Sequence, residues 1–272
     1  MYIPLAKTFA LSFVKWNMIP TSTPRFCGFK NFVRLFHTPG FVQALVNTAK
    51  MMVEILPFSI ILPLASAIFA RHLTERADKI YRTLIFFPMI MAPVSLAAIF
   101  RWMLHPAGGL VNEFLKVFGA ENPVHFLNDP RYALGSIVFV TGLKMMGFFT
   151  LLFYNAVANI NGEYYEAAAI DGSSFLQRTL YVTLPMISPT LTYNMMLSML
   201  FTASWSFTYV DTLTNGGPLN ATMNAYYFMW DKGFRTSSSG LTASSAVLFF
   251  LLFGLISLGL NRLGQKISYY DD

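Results

Sequence analysis

The chain has 272 residues, of which 55% are hydrophobic and 12% charged, with 27 Phe, 15 Met and a formal net charge of +6. Soluble domains carry about 25% charged residues, so this composition sets the chain apart from them and makes the spacing of its apolar runs decisive. The single cysteine, Cys27, excludes an intramolecular disulfide and a cysteine-based metal site. His37, His72, His105 and His125 are scattered without ligand spacing, so no metal site is expected. The basic residues sit mainly in loops, which reads as a topological signal and not as a nucleic-acid-binding patch.

In chain order, MYIPLAKTFALSFV (1–14) is too short to cross a bilayer, and Lys7 interrupts its apolar run, so it lacks a signal-peptide layout. A spanning helix needs about 20 mostly apolar residues, because lipid offers backbone amides no partners. Five runs meet that test: 46–70, 83–104, 133–157, 188–210 and 242–260. The expected fold is therefore all-α, a polytopic transmembrane helical bundle forming one domain over 1–272. Lys50 and Glu54, one turn apart in the first run, read as a structural pair.

RHLTERADKIYR (71–82) concentrates Arg71, Arg76, Lys79 and Arg82 between two spans and is placed in the cytoplasm. Alternation then puts 105–132 outside, 158–187 inside, 211–240 outside, and the tail with Arg262 and Lys266 inside. The same alternation puts 15–45 outside, although Lys15, Arg25, Lys30 and Arg34 lie there without any acid. Either the chain starts late, having lost most of a first helix, or its N-terminal region lies along the membrane surface. The first alternative is preferred.

The inner segment 161–187 contains EYYEAAAIDG and predicts a helix–turn–helix. Asn161 is a good N-cap, Glu163 suits the first turn, and Ala167–Ala169 favour helix. Gly172 provides a permissive C-terminal backbone, and Ser174 with Gln177 has capping-box spacing. Pro185 and Pro189 mark the passage into the next span. Two short helices with a small-residue face make a knob for a partner's groove, with Glu166 and Asp171 available to basic groups at its rim. The bland alternative is an amphipathic connector.

On the 188–210 run, Ser198, Thr202 and Trp205 share one helical face. Hydroxyls can hydrogen-bond a polar solute and an indole offers it a flat apolar surface, although hydroxyls also serve helix packing in lipid and an aromatic near a span's end is often an interfacial anchor. Lys144, inside the 133–157 run, is an expensive intramembrane charge. It reads as a structural lysine more readily than as a ligand for an anionic sugar.

The spacing Glu166-Ala167-Ala168, three residues, Gly172, nine residues, then Val182-Thr183-Leu184-Pro185 resembles the EAA loop of binding-protein-dependent ABC importer permeases. Val182 stands where the family has Ile, and Ile160-Asn161 where it usually has Ile-Pro. GFKNFVRLF (28–36), FVQALVNT (41–48), TNGGPLNAT (214–222) and GLTASSAVLFF (240–250) further resemble carbohydrate-uptake permeases, within them the maltose-type first subunit. The resemblance covers about residues 10–264. It implies a type I ABC importer permease fold with six core spans, here five plus a remnant of the first over 1–14, and this accounts for the charge conflict at 15–45.

The resemblance also implies a location in the bacterial or archaeal inner membrane and a set of partners. These are a second permease subunit, two ATPase subunits that bind ATP and Mg, and an extracytoplasmic solute-binding protein, with a sugar or sugar derivative as substrate. No cofactor belongs to this chain, which has no GxxxxGK[ST] loop and is not expected to be an enzyme. Glu166, Ala167, Ala168, Asp171, Gly172, Leu184 and Pro185 are the implied ATPase-coupling residues. Thr141, Ser198 and Thr202 fall where maltose-type permeases line their sugar site, and Trp205 completes the candidate pathway. The rival is an ion-coupled secondary carrier, which calls for paired intramembrane carboxylates or repeated halves. Glu54 is the one acid well inside a span, and no repeat is evident.

Overall fold

The computed structural model describes residues 2–17 and 21–267, and the side chain of Lys266, expected in the inner tail, lies outside the described residues. The described chain is helical apart from turns and one two-residue ribbon. Helix α1 (Tyr2–Ser12) leads into β1 (Val14–Lys15), which pairs antiparallel with β2 (Arg25–Phe26), Val14 opposite Phe26. The short α2 (Lys30–Phe36) follows. Gly40, at φ +85°, then turns the chain into α3 (Phe41–Glu54).

Helix α3 continues through a π turn at Pro57–Ile61 into α4 (Leu62–Ala70), giving one 30-residue apolar helix, Phe41–Ala70. It starts five residues before the expected 46–70 span. Prolines remove amide donors from the helical ladder, and Pro57 and Pro63 flank the stretch where the winding loosens.

The 83–104 run does not form one straight span. It divides into α5 (Glu75–Ile90) and α6 (Pro93–Met103), bent by 95°. Pro93 opens α6, and the residue before a proline is pushed to extended backbone. Ala92 accordingly has a ψ of 135°, and Met91, at ψ 140°, is extended as well. Lys144 donates from Nζ to the carbonyl oxygens of Met89 (2.9 Å) and Met91 (2.6 Å), carbonyls that a helix end leaves without partners.

After α7 (Leu110–Val117), helix α8 (Ala133–Ala158) is the most enclosed of the long apolar helices. A Cβ on its Gly142 would collide with the Phe58 ring, and one on Gly147 would come within 2.7 Å of the Ile85 carbonyl oxygen. The two glycines thus permit close approach by the Phe41–Ala70 helix and by α5. Next come α9 (Gly162–Ile170), α10 (Phe175–Arg178), a π turn at Thr179–Thr183 and α11 (Leu184–Met186). Helix α12 (Ser188–Tyr209), α13 (Ala225–Trp230) and α14 (Ser239–Ile267) complete the chain.

Among the described residues, three helices are long and apolar enough to cross a membrane: Phe41–Ala70, Ala133–Ala158 and Ser239–Arg262. A fourth crossing exists if α5 and α6 form one broken span. This corrects the expectation of five full spans. Helix α12 occupies the expected 188–210 run, but its four Ser and four Thr residues dilute its apolar character. The main core joins Phe41, Phe149, Tyr209 and Phe228, all fully buried, and a smaller cluster surrounds Phe153, Val157 and Ile187.

Candidate functional site

The α9–α10 pair is built from local side-chain-to-backbone bonds. Asn161 accepts from the Glu163 amide through Oδ1 at 3.1 Å. At the other end Gly172 adopts φ +75°. Its amide donates to the Ala169 carbonyl at 3.1 Å and that of Ser173 to Ala168 at 3.0 Å, the paired bonds of a Schellman motif. Ser174 and Gln177 complete a reciprocal capping box. Helix α9 is thereby capped at both ends and α10 at its start, all by local bonds.

Three contacts fix the pair to the bundle. The Arg71 guanidinium lies 4.3 Å from the centre of the Tyr165 ring, the Tyr165 hydroxyl meets Thr183 Oγ1 at 2.9 Å, and the His72 ring meets Phe175 edge-on at 5.5 Å. The basic turn after α4 and the α9–α10 pair therefore share one end of the molecule. At the same end, a Cβ on Gly264 of α14 would fall on the Thr192 side chain. The start of α14 lies at the opposite end, where Ser239 donates to the Trp16 carbonyl at 2.5 Å.

Glu166, Ala167, Asp171 and Gly172 are exposed, and Ala168 is half-buried. Leu184 is half-buried against the smaller core, and Pro185 sits in the short α11. Ile170 is 87% and Tyr181 77% exposed. The pair thus presents small and apolar residues outward, with the carboxylates of Glu166 and Asp171 among them.

The four candidate pathway residues are buried or half-buried within the described structure. Thr141 is buried, and its hydroxyl donates to Ile137 at 2.8 Å. Ser198 and Thr202 are buried side by side on α12, donating to the carbonyls of Met195 (2.9 Å) and Ser198 (2.5 Å). Their shared face is turned into the subunit. Trp205 is half-buried and stacks on Phe201 at 5.0 Å, with Phe148 at its edge.

Sequence reasoning missed a buried polar knot that ties the motifs together. Asn47 donates from Nδ2 to the carbonyls of Asn220 (2.9 Å) and Met223 (3.0 Å), while the Thr48 hydroxyl accepts from the Ala225 amide at 2.9 Å. Asn224 caps α13 through the Tyr227 amide and donates to Ser206 at 2.8 Å. The signal was present in FVQALVNT and TNGGPLNAT, but a single sequence does not show that the two segments meet.

These elements define a multi-pass helical membrane subunit. Residues 59–266 match the family described as "Binding-protein-dependent transport system inner membrane component", and the chain belongs to that family. It is similar to the sn-glycerol-3-phosphate transport system permease protein UgpA of Escherichia coli O157:H7, 28% identical over 246 residues, covering 90% of this chain and 82% of the relative. The probable ABC transporter permease protein YurN of Bacillus subtilis (strain 168) is 28% identical over 264 residues, covering 95% and 88%.

In fold, the chain resembles a subunit in the crystal structure of a bacterial ABC transporter involved in import of the acidic polysaccharide alginate. The TM-score is 0.85 at 22% identity, covering 99% of this chain and 91% of that one. A chain of the inward-facing MetNI methionine ABC transporter gives 0.63 at 13% identity, covering 85% and 97%. The protein is thus an ABC-transporter permease component acting in solute import, a transport subunit and not an enzyme.

Proposed function

We propose that this chain is the inner-membrane permease subunit of an ATP-driven importer of sugars or sugar derivatives. It pairs with a second permease to form the pathway and receives solute from an extracytoplasmic binding protein. Two cytoplasmic ATPase subunits bind ATP and Mg. Their closure is relayed through the α9–α10 pair, with Glu166, Ala167, Ala168, Asp171, Gly172, Leu184 and Pro185 as the coupling residues. On this reading the EAA loop and the C-terminus face the cytoplasm.

The observation that carries the reading is the capped, outward-standing pair itself. Its first helix is capped at both ends and its second at its start, so the turn between them is fixed and the pair can transmit a push as a unit, and its exposed alanines permit close approach of a partner backbone. The names of the relatives favour sugar-like solutes: UgpA is named for sn-glycerol-3-phosphate, and the transporter of similar fold imports alginate.

On the same reading the pathway runs beside α12, with the Trp205–Phe201 stack as the platform for a sugar ring. Thr141, Ser198 and Thr202 line it in a conformation that frees their hydroxyls from the carbonyls they hold here.

The test is Ala168→Trp in the complete transporter. Overpacking a fitted contact costs about 1–3 kcal/mol, so uptake and solute-stimulated ATP hydrolysis should fall roughly ten-fold or more while membrane insertion is unchanged. Unchanged uptake together with unchanged recovery of the ATPase in the purified complex would contradict the coupling role.

A further inference from the structure

Residues 15–45 contain Lys15, Arg25, Lys30 and Arg34 and no Asp or Glu. The structure gathers these cations around α2. Asn31 and Leu35 form its inner face, with Asn31 donating from Nδ2 to the carbonyls of Ser12 (2.9 Å) and Val14 (3.0 Å). On another side Phe29, Val33 and Phe36, spaced i, i+4, i+7, are 71%, 61% and 54% exposed, and the neighbouring Phe26 is 82% exposed. The rings of Phe13, Phe29 and Phe32 pack together at 5.3–5.9 Å and stiffen this edge.

Lys30 and Arg34 flank the apolar side one turn apart. Together with Lys15 and Arg25 they are exposed and make no ion pair among the described residues. Lys15, Arg25 and Arg34 also line a cleft of about 540 Å³ with Thr21, Thr23 and Ser238. Arg34 continues into a second cleft that holds His37 and Lys232, the latter paired with Asp231 at 2.9 Å.

The place of α2 beside an apolar helix indicates what covers it. It ends at Phe36, and the apolar Phe41–Ala70 helix begins five residues later, so α2 lies at the mouth of a span. A bilayer interface offers apolar chains and anionic phosphates side by side at the end of a span, and aromatic residues and cations favour it. An acidic protein surface would meet the cations and leave Phe26, Phe29, Val33 and Phe36 in water. A second permease helix would cover the apolar side and leave the cations unpaired.

We propose that residues 25–37 form an interfacial foot, opposite the α9–α10 end, that seats Phe26, Phe29, Val33 and Phe36 at the acyl boundary and holds anionic phospholipid headgroups through Lys15, Arg25, Lys30 and Arg34. The foot goes beyond the import reading and requires only that the bundle spans a bilayer. Its failure would leave the coupling role standing, and failure of the coupling role would leave the foot standing.

The test uses the complete transporter in vesicles of phosphatidylcholine and phosphatidylglycerol, with Cys27→Ser and a spin label introduced by Val33→Cys. Collisions with oxygen should exceed those with a water-soluble nickel chelate, the reverse of a label introduced by Glu121→Cys in the 105–132 loop. In parallel, the preference for spin-labelled phosphatidylglycerol over phosphatidylcholine is measured for the triple variant Arg25→Glu, Lys30→Glu, Arg34→Glu, with the Gln series as the milder variant should the reversal fail to insert. The preference should fall about three-fold or more. A Val33 label as open to nickel as that at Glu121, a label closed to both reagents (which would mark a protein partner), or an unchanged lipid preference in both series would each overturn the proposal.

Discussion

Lys144 carries an ammonium into the bundle because a broken helix needs donors there. Its two bonds satisfy the carbonyls of Met89 and Met91 at the 95° bend. Lys144→Met should therefore destabilise the protein by about 1–2 kcal/mol, since part-buried carbonyls lose a charged donor, and thermal unfolding in detergent would show a lowered Tm. Gly172 is a second single-residue control point. At φ +75° a side chain is strained, so Gly172→Val should cost about 1–2 kcal/mol locally and loosen the turn between α9 and α10, seen as faster amide exchange at 168–174. In the 105–132 loop, Arg131 hydrogen-bonds the Asp129 carboxylate and holds its pKa down at about 2, against an ordinary 3.8. The pair's contribution is thus complete above the ordinary value and is lost as pH falls through about 2. Arg131→Ala should return Asp129 toward its ordinary titration, followed by carboxyl carbon NMR.

At the scale of elements, α8 is the helix against which the others are fitted. Gly147 meets the backbone of α5, which cannot move aside as a side chain can, so Gly147→Leu should destabilise by about 1–3 kcal/mol, measured by the same thermal unfolding. The long apolar helices were legible because twenty-odd apolar residues have few other fates. The caps of α9 and α10 were legible because Asn161, Gly172, Ser174 and Gln177 act within their own turn. The break at Met91 was not, although Pro88 and Pro93 were in view, because an average over a hydrophobic run does not register a bend inside it. Nor was the direction faced by Ser198 and Thr202. Periodicity shows which residues share a side, and only packing shows what that side meets. The knot of Asn47, Thr48 and Asn224 depends on segments more than 170 residues apart coming together, which local spacing does not encode.

At the scale of the whole molecule, the bundle has two differently made ends. One joins the basic turn after α4 to the exposed, capped α9–α10 pair through Arg71 and Tyr165. The other gathers the ribbon, α2 and the start of α14 beside a set of cations that make no ion pair among the described residues. Family membership makes the chain an inner-membrane component of a binding-protein-dependent transport system, and the proposed relay of an inner motor stroke to an outer opening calls for such a polarity. The most direct test of the account is side-specific labelling. With Cys27→Ser and Glu166→Cys in the membrane-inserted permease, a membrane-impermeant thiol reagent should react only from the cytoplasmic side, and docking of the ATPase subunits should protect the site. Labelling from outside intact cells would contradict the account, because no inner motor reaches a segment on that face.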